Sequence, residues 1–300
     1  MANTAWLDRS RRWLPILLLG SCLSGVAPAE RIADVRNTKH NLSASGPGTV
    51  KAVSESRVCI FCHTPHGANT SVPNAPLWNR QLPTSTYTPY LSESIDANDI
   101  AAEPGGSSKL CLSCHDGTLA IGTVEVANGQ IGQSFAMSGT SADGSMPPGR
   151  GASSGFTRRL GVDLTNDHPI SFTYDSALAL ADGELRDPAV AAHIGNRSPG
   201  VKPVVPLELG KLECMSCHDP HIRDTDISKN IKFLRLNRFQ QAAPVGGNFN
   251  QASDIICLAC HDKLGQAWAS SAHADPLVGD ETYKSASASL REFPDGTRVW

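Results

Sequence analysis

Apolar and polar positions alternate along this chain only in short bursts, and no period holds for long. Alternation over Leu119 to Val126, Ile170 to Tyr174 and Ile231 to Leu236 predicts three short strands. Asp175 to Asp182 and Asp187 to His193 predict short helices. Between these bursts the chain is broken by turn formers. Residues 127 to 161 are rich in Gly, Ser and Pro and read as a long linker, and VPNAPLWNRQLPTSTYTPY (72 to 90) reads as loop. Pro199, Pro203 and Pro206 mark another extended stretch. The expectation is a mostly irregular, loop-rich fold with short helices and a few short strands.

Composition sharpens this picture. The 300 residues suffice for one large domain or two small ones. Glycine and proline together number 46 and aromatics make up only 6%, so the apolar core is thin unless something other than protein fills the interior. Net charge is −3, and with no basic surface or nucleic-acid motif the chain is not expected to bind nucleic acid.

The first residues read as an export signal. Arg9, Arg11 and Arg12 precede an apolar run from Trp13 to Leu19, and Ala27-Pro28-Ala29 fits an A-x-A cleavage site. The run is too short and too broken to span a bilayer. A lipoprotein site at Cys22 is the secondary reading. Residues 1 to 29 carry three arginines and one aspartate, so the chain beyond them stands at −5 rather than −3.

Export implies an oxidising compartment, where cysteines usually form disulfides. Here all eight cysteines after the signal fall into four pairs of another kind: CIFCH (59 to 63), CLSCH (111 to 115), CMSCH (214 to 218) and CLACH (257 to 261). Each is C-x-x-C-H, the attachment sequence of a c-type haem. Cys59, Cys62, Cys111, Cys114, Cys214, Cys217, Cys257 and Cys260 would form thioethers to four covalently attached haems. His63, His115, His218 and His261 would be the proximal iron ligands. Four-cysteine zinc sites or thioredoxin-like pairs would explain the cysteines. Neither explains a histidine directly after each pair.

Six histidines remain: His40, His66, His168, His193, His221 and His273. Four bis-histidine haems need four distal ligands. His40, His66, His168 and His221 are the distal candidates, and His273 is a further one. His193, on a short apolar stretch, reads as packed. Met137 and Met146 are the alternative ligands, in a loop-like stretch. His66 and His221 share one arrangement, C-x-x-C-H-x-P-H. Two imidazoles three residues apart on one turn cannot hold opposite faces of one iron. The second can hold the iron of a neighbouring haem, which would bring the two haems together.

The order of sites repeats, a C-H-x-P-H site and then a plain C-H-D site, twice over. This divides the chain into a signal peptide (1 to 29), an N-terminal two-haem half (30 to 165) and a C-terminal two-haem half (166 to 300). The halves could equally form one continuous haem-packed domain.

These residues resemble multihaem cytochromes c with doubled C-x-x-C-H motifs, common in metal-reducing and related bacteria. The likeness rests on TKHNLS (38 to 43), CIFCHTPHG (59 to 67), APLWNR (75 to 80), CLSCHDG (111 to 117), DHPISFTY (167 to 174) and LECMSCHDPH (212 to 221). The resemblance implies a haem-organised fold, low-potential haems and electron transfer. It implies a place in the periplasm or on the outer surface of a Gram-negative bacterium, with redox proteins or extracellular electron acceptors as partners. The C-H-x-x-H element is also similar to that of extracellular cytochrome filaments, in which the second histidine ligates a haem of the next subunit. By that likeness His66 would join copies of this chain into a homopolymer. WASSAHA (268 to 274) resembles a segment that precedes further haem sites in longer relatives, so the chain reads as a fragment candidate whose His273 would serve an absent haem.

The leading expectation is therefore an electron-transfer conduit rather than an enzyme, with every iron closed by two histidines. The alternative is a reductase of a small oxyanion with one open iron. A structural filament with haems as internal cross-links is the third reading. Haem propionates would add about eight negative charges to four haems.

Overall fold

In the computed structural model of the chain, the described residues are 31–149, 158–225, 231–238, 248–262 and the strand pair 281–282 with 298–299. The expected export signal with Cys22, the segment WASSAHA with His273, and most of the C-terminal tail lie outside them.

The molecule is loop-rich, with short helices and shorter strands. The strands are β1 (Arg31–Ala33), β2 (Lys51–Ala52), β3 (Thr123–Ala127), β4 (Gln130–Ser134), β5 (Met137–Ser138) and β6 (Phe172–Thr173). They continue with β7 (Ile194–Asn196), β8 (Val205–Leu207), β9 (Lys211–Leu212), β10 (Ile222–Asp224), β11 (Glu281–Thr282) and β12 (Arg298–Val299). They pair only in twos: β1 with β10, β2 with β5, β3 with β4, β6 with β9, β7 with β8 and β11 with β12. Among these six pairs only β7 and β8 run parallel. No helix among the described residues is long and apolar enough to cross a membrane.

Local chemistry explains the regular pieces. Helix α1 (Gly106–His115) lacks a capping side chain of its own. Instead Glu208, from a distant loop, accepts from the Ser107 amide at 2.9 Å, placing a carboxylate at the positive helix end. Helix α2 (Ser176–Asp182) is capped by Asp175, which accepts from the Leu178 amide, and it ends at Gly183 in the left-handed region (φ 71°). Helix α3 (Cys214–Cys217) is a single turn closed by a reciprocal Glu213–Ser216 capping box. The other two cysteine motifs adopt short 3₁₀ turns, Cys59–Phe61 and Ile256–Ala259.

Four expectations are corrected. Residues 119–122 form a turn and the strand starts at Thr123, because Arg80 engages the Ala120 and Ile121 carbonyls that a ladder would need. The linker expected from residue 127 begins with a β3–β4 hairpin. Its Asn128-Gly129 turn takes positive φ at both positions (55° and 74°), the geometry that matches strand twist. Ile231 to Leu236 is a turn rather than a strand, with Lys232 and Phe233 both at positive φ. Asp187 to His193 makes hydrogen-bonded turns rather than a helix.

The apolar core is divided into three small clusters. One gathers Phe61, Ile121, Val124 and Met146; a second gathers Phe172, Tyr174, Val205, Leu212 and Leu236; a third holds Tyr87, Leu112 and Leu164. The two halves of the chain interlock. β1 pairs with β10 across them, and α1 packs on α3.

Candidate functional site

The first and third cysteine motifs are held by side-chain and backbone bonds that repeat between the halves. In the first motif the His63 amide bonds the Cys59 carbonyl, and in the third His218 does the same to Cys214. His63 Nδ1 lies 2.5 Å from the Pro76 carbonyl, and His218 Nδ1 lies 2.8 Å from the Lys232 carbonyl. The returning loop then pairs Trp78 with His63 in one half and Leu234 with His218 in the other. Asn79 and Arg235 next donate their amides to the Cys62 and Cys217 carbonyls, each at 2.9 Å. Their side chains reach the residue after the first cysteine: Asn79 Nδ2 bonds the Ile60 carbonyl, and Arg235 Nε bonds the Met215 carbonyl. Leu77 and Phe233 occupy matching places at positive φ. The duplication visible in the motifs thus extends to the loops that support them.

Asn79 and Arg80 bind the first motif to the second. Arg80 is 1% exposed and donates to the carbonyls of Ser113, Ala120, Ile121 and Thr123. Ser113 lies inside CLSCH, and Ile60, held by Asn79, lies inside CIFCH. Sequence reasoning missed this clamp.

The eight cysteines among the described residues are free thiols. Burial pushes the Cys62, Cys217 and Cys260 thiols up to about 12. Successive motifs are neighbours in space. Cys62 lies beside Cys114. Cys111 and Cys214 are close enough to perturb each other, with the Cys111 thiol raised and the Cys214 thiol lowered by their interaction. Cys217 lies beside Cys260. The four motifs therefore follow one another in space in the order they have in the chain.

The histidines come together in pairs. His63 faces His221 with ring centroids 6.0 Å apart and planes 15° apart. His115 faces His40 at 6.1 Å, and His261 faces His168 at 6.4 Å, both pairs edge-on. Each pair combines one histidine from a C-x-x-C-H motif with one that does not follow a cysteine. Among the described residues His66 and His218 have no ring partner, and both are exposed. His193 stacks on Phe249 and places Nε2 2.8 Å from the Ala259 carbonyl, a packed role. Met146 is buried in the first apolar cluster and Met137 packs against it.

Ring nitrogens are oriented by their partners. The Pro76, Arg158, Pro169 and Lys232 carbonyls lie within hydrogen-bond distance of Nδ1 of His63, His115, His168 and His218. A carbonyl can only accept, so these rings carry their proton on Nδ1 and leave the Nε2 lone pair outward. The Asp219 carboxylate does the same for His221 at 2.9 Å. Burial holds the His40 imidazole far below its ordinary range, at about 3, helped by neighbouring His115, His221 and His218. Burial also lowers His115 and His218. Neutral imidazole is the form that ligates a metal. Among the described residues no three His, Cys, Asp or Glu side chains converge as a site for a bare metal ion. No family model matches the chain, and no curated protein matches it.

Proposed function

We propose that this chain is an exported tetrahaem c-type cytochrome that conducts electrons along a file of closely spaced bis-histidine haems. The observation that carries this reading is the spacing of the three histidine pairs. A metal held between two imidazoles at about 2 Å from each, with roughly 1 Å from ring nitrogen to ring centre, would set the ring centres about 6 Å apart. The pairs stand at 6.0, 6.1 and 6.4 Å, each beside two free cysteine thiols. The donor set fits haem c: thiols for the vinyl groups, and imidazoles for the iron, with Nδ1 of His63, His115, His168 and His221 held by an acceptor. Haem c, when bound, supplies reversible one-electron exchange at iron. The chain's part is to hold the rings in place, close both faces against substrates, and set the sites side by side.

The pairing follows a rule. His40 and His168, at equivalent places in the two halves, serve the second and fourth motifs. His221, from the C-H-x-P-H motif of the second half, serves the first motif of the first half. By the same rule His66, from the first half, would serve the third-motif haem at His218, but of another copy. A head-to-tail contact of that kind does not close on itself and gives a polymer.

Carbon monoxide difference spectra of the fully reduced protein test the reading, on dilute and on assembled material. One iron in four open when dilute, and none when assembled, is the expected result. An iron open in both states would favour the oxyanion reductase and call for assays with nitrite, hydroxylamine and sulfite. Fewer than four covalent haems by mass would overturn the cofactor assignment.

A further inference from the structure

His66 and His221 occupy the same place in a repeated motif, yet their surroundings differ at one atom. The residue two positions earlier is Thr64 in the first motif and Asp219 in the third. Thr64 turns its hydroxyl to the His66 carbonyl and leaves the imidazole alone. Asp219 accepts from both the His221 amide, at 3.1 Å, and His221 Nδ1, at 2.9 Å. His221 has a carboxylate at Nδ1, where His63, His115, His168 and His218 have backbone carbonyls. Asp219 is itself fixed from the other side by Arg235 at 2.9 Å, so it cannot turn away.

A carboxylate on the outer nitrogen of a ligating imidazole makes that ring a stronger electron donor and favours the oxidised metal. A neutral carbonyl does so less. Building on the haem assignment above, we propose that Asp219 is a positioning residue that fixes the His221 ring and lowers the reduction potential of the haem closed by His63 and His221. The two C-H-x-P-H histidines are thereby made unequal. His221 is a strongly donating ligand for a haem inside its own chain, and His66 is an ordinary one. Asp219 also directly follows His218, so one carboxylate borders the first and third sites at once. The other charged group facing it is Arg235, the group whose loss could imitate the effect.

The test is a spectroelectrochemical titration of the holo protein with Asp219→Asn, beside Asp219→Glu and Arg235→Gln. Asparagine keeps the oxygen that accepts from the His221 amide and Nδ1 but removes the charge. One of the four potentials is expected to rise in Asp219→Asn, with the low-spin EPR signal of the same haem shifting and four haems retained by mass. Asp219→Glu is expected to restore most of the original value. A variant lacking Cys59 and Cys62 identifies the haem, because the potential that moves must be the one missing there. Four unchanged potentials would overturn the proposal, as would a shift on another haem, or an equal shift in Arg235→Gln. Should Asp219→Asn fail to mature, Thr64→Asp is the reciprocal variant: it must lower the potential of the haem closed by His66 in assembled material, and no change there overturns the idea. Loss of a haem by mass, by contrast, would count against the haem assignment itself.

Discussion

The imidazoles of His63 and His221 lie 6.0 Å apart and nearly parallel, although they come from opposite halves of the chain. This pairing makes the halves interdependent: the first site is completed by the peptide that builds the third. His221→Ala is expected to open one iron in four to carbon monoxide in dilute reduced protein, in addition to the one that His66 would close only on assembly. His66→Ala is expected to leave the dilute protein unchanged and to abolish assembly. Difference spectra and sedimentation read the two effects separately.

His193 is the control among the histidines. Its Nε2 is committed to the Ala259 carbonyl and its ring to Phe249. His193→Ala should leave every ligand band in place and cost about 1 kcal/mol of stability from the lost hydrogen bond, seen as a small drop in Tm. A changed ligand spectrum would make it a ligand after all.

Asn79 is fully buried and makes three side-chain hydrogen bonds, to the Ile60 and Val126 carbonyls and from the Val126 amide. Asn79→Ala leaves buried backbone groups unpaired, so a loss of about 2–4 kcal/mol is expected in thermal unfolding. The same change on the exposed face should cost far less.

Glu213 supplies the pH dependence. It is 2% exposed between the Ser108 and Ser171 hydroxyls, and burial pushes its carboxyl above the usual carboxylate range while the two serines pull it partly back. A raised carboxyl in the fold means that stability is complete below the unfolded value of about 4.3 and is lost as pH rises through the folded one. Glu213→Gln keeps acceptor oxygen but cannot ionise. Its Tm relative to the parent is therefore expected to climb between pH 4 and pH 7, and a flat difference would show that Glu213 is ionised without penalty.

The candidate residues could be proposed from spacing alone, because thioether attachment and proximal ligation, on the haem reading, are local demands that five consecutive residues can meet. His40 and His168 were legible as candidates, for each stands in a short motif ahead of its half's first cysteine pair. Which ring faces which was not legible. His221 reaching His63, and His168 reaching His261, depend on loops whose register is set by Pro76, Lys232 and Arg158 carbonyls rather than by any periodicity. The Asn79–Arg80 clamp was hidden for the same reason: its partners are backbone carbonyls, which leave no trace in side-chain chemistry. The hairpin at Asn128-Gly129 had a local signal, an Asn-Gly pair between alternating residues, masked by the glycine-rich composition around it. The turn at Lys232 and Phe233 had none, since two bulky residues at positive φ contradict local preference and are held there by the His218 loop.

The contact between Cys111 and Cys214 has a consequence for how the protein is made. These two cysteines come from different motifs and perturb each other's thiols, so on the haem reading they are neighbours that can couple before attachment. An exported dithiol oxidase could take two electrons and two protons from them and leave a disulfide that disables two attachment sites in a single event. Unmatured protein held under oxidising conditions should then yield one Cys111–Cys214 cross-linked peptide ahead of the pairs within each motif. On the haem reading, biogenesis becomes a race that attachment must win at the middle of the chain, and the order of loading, not only the final fold, would decide the yield of intact molecules.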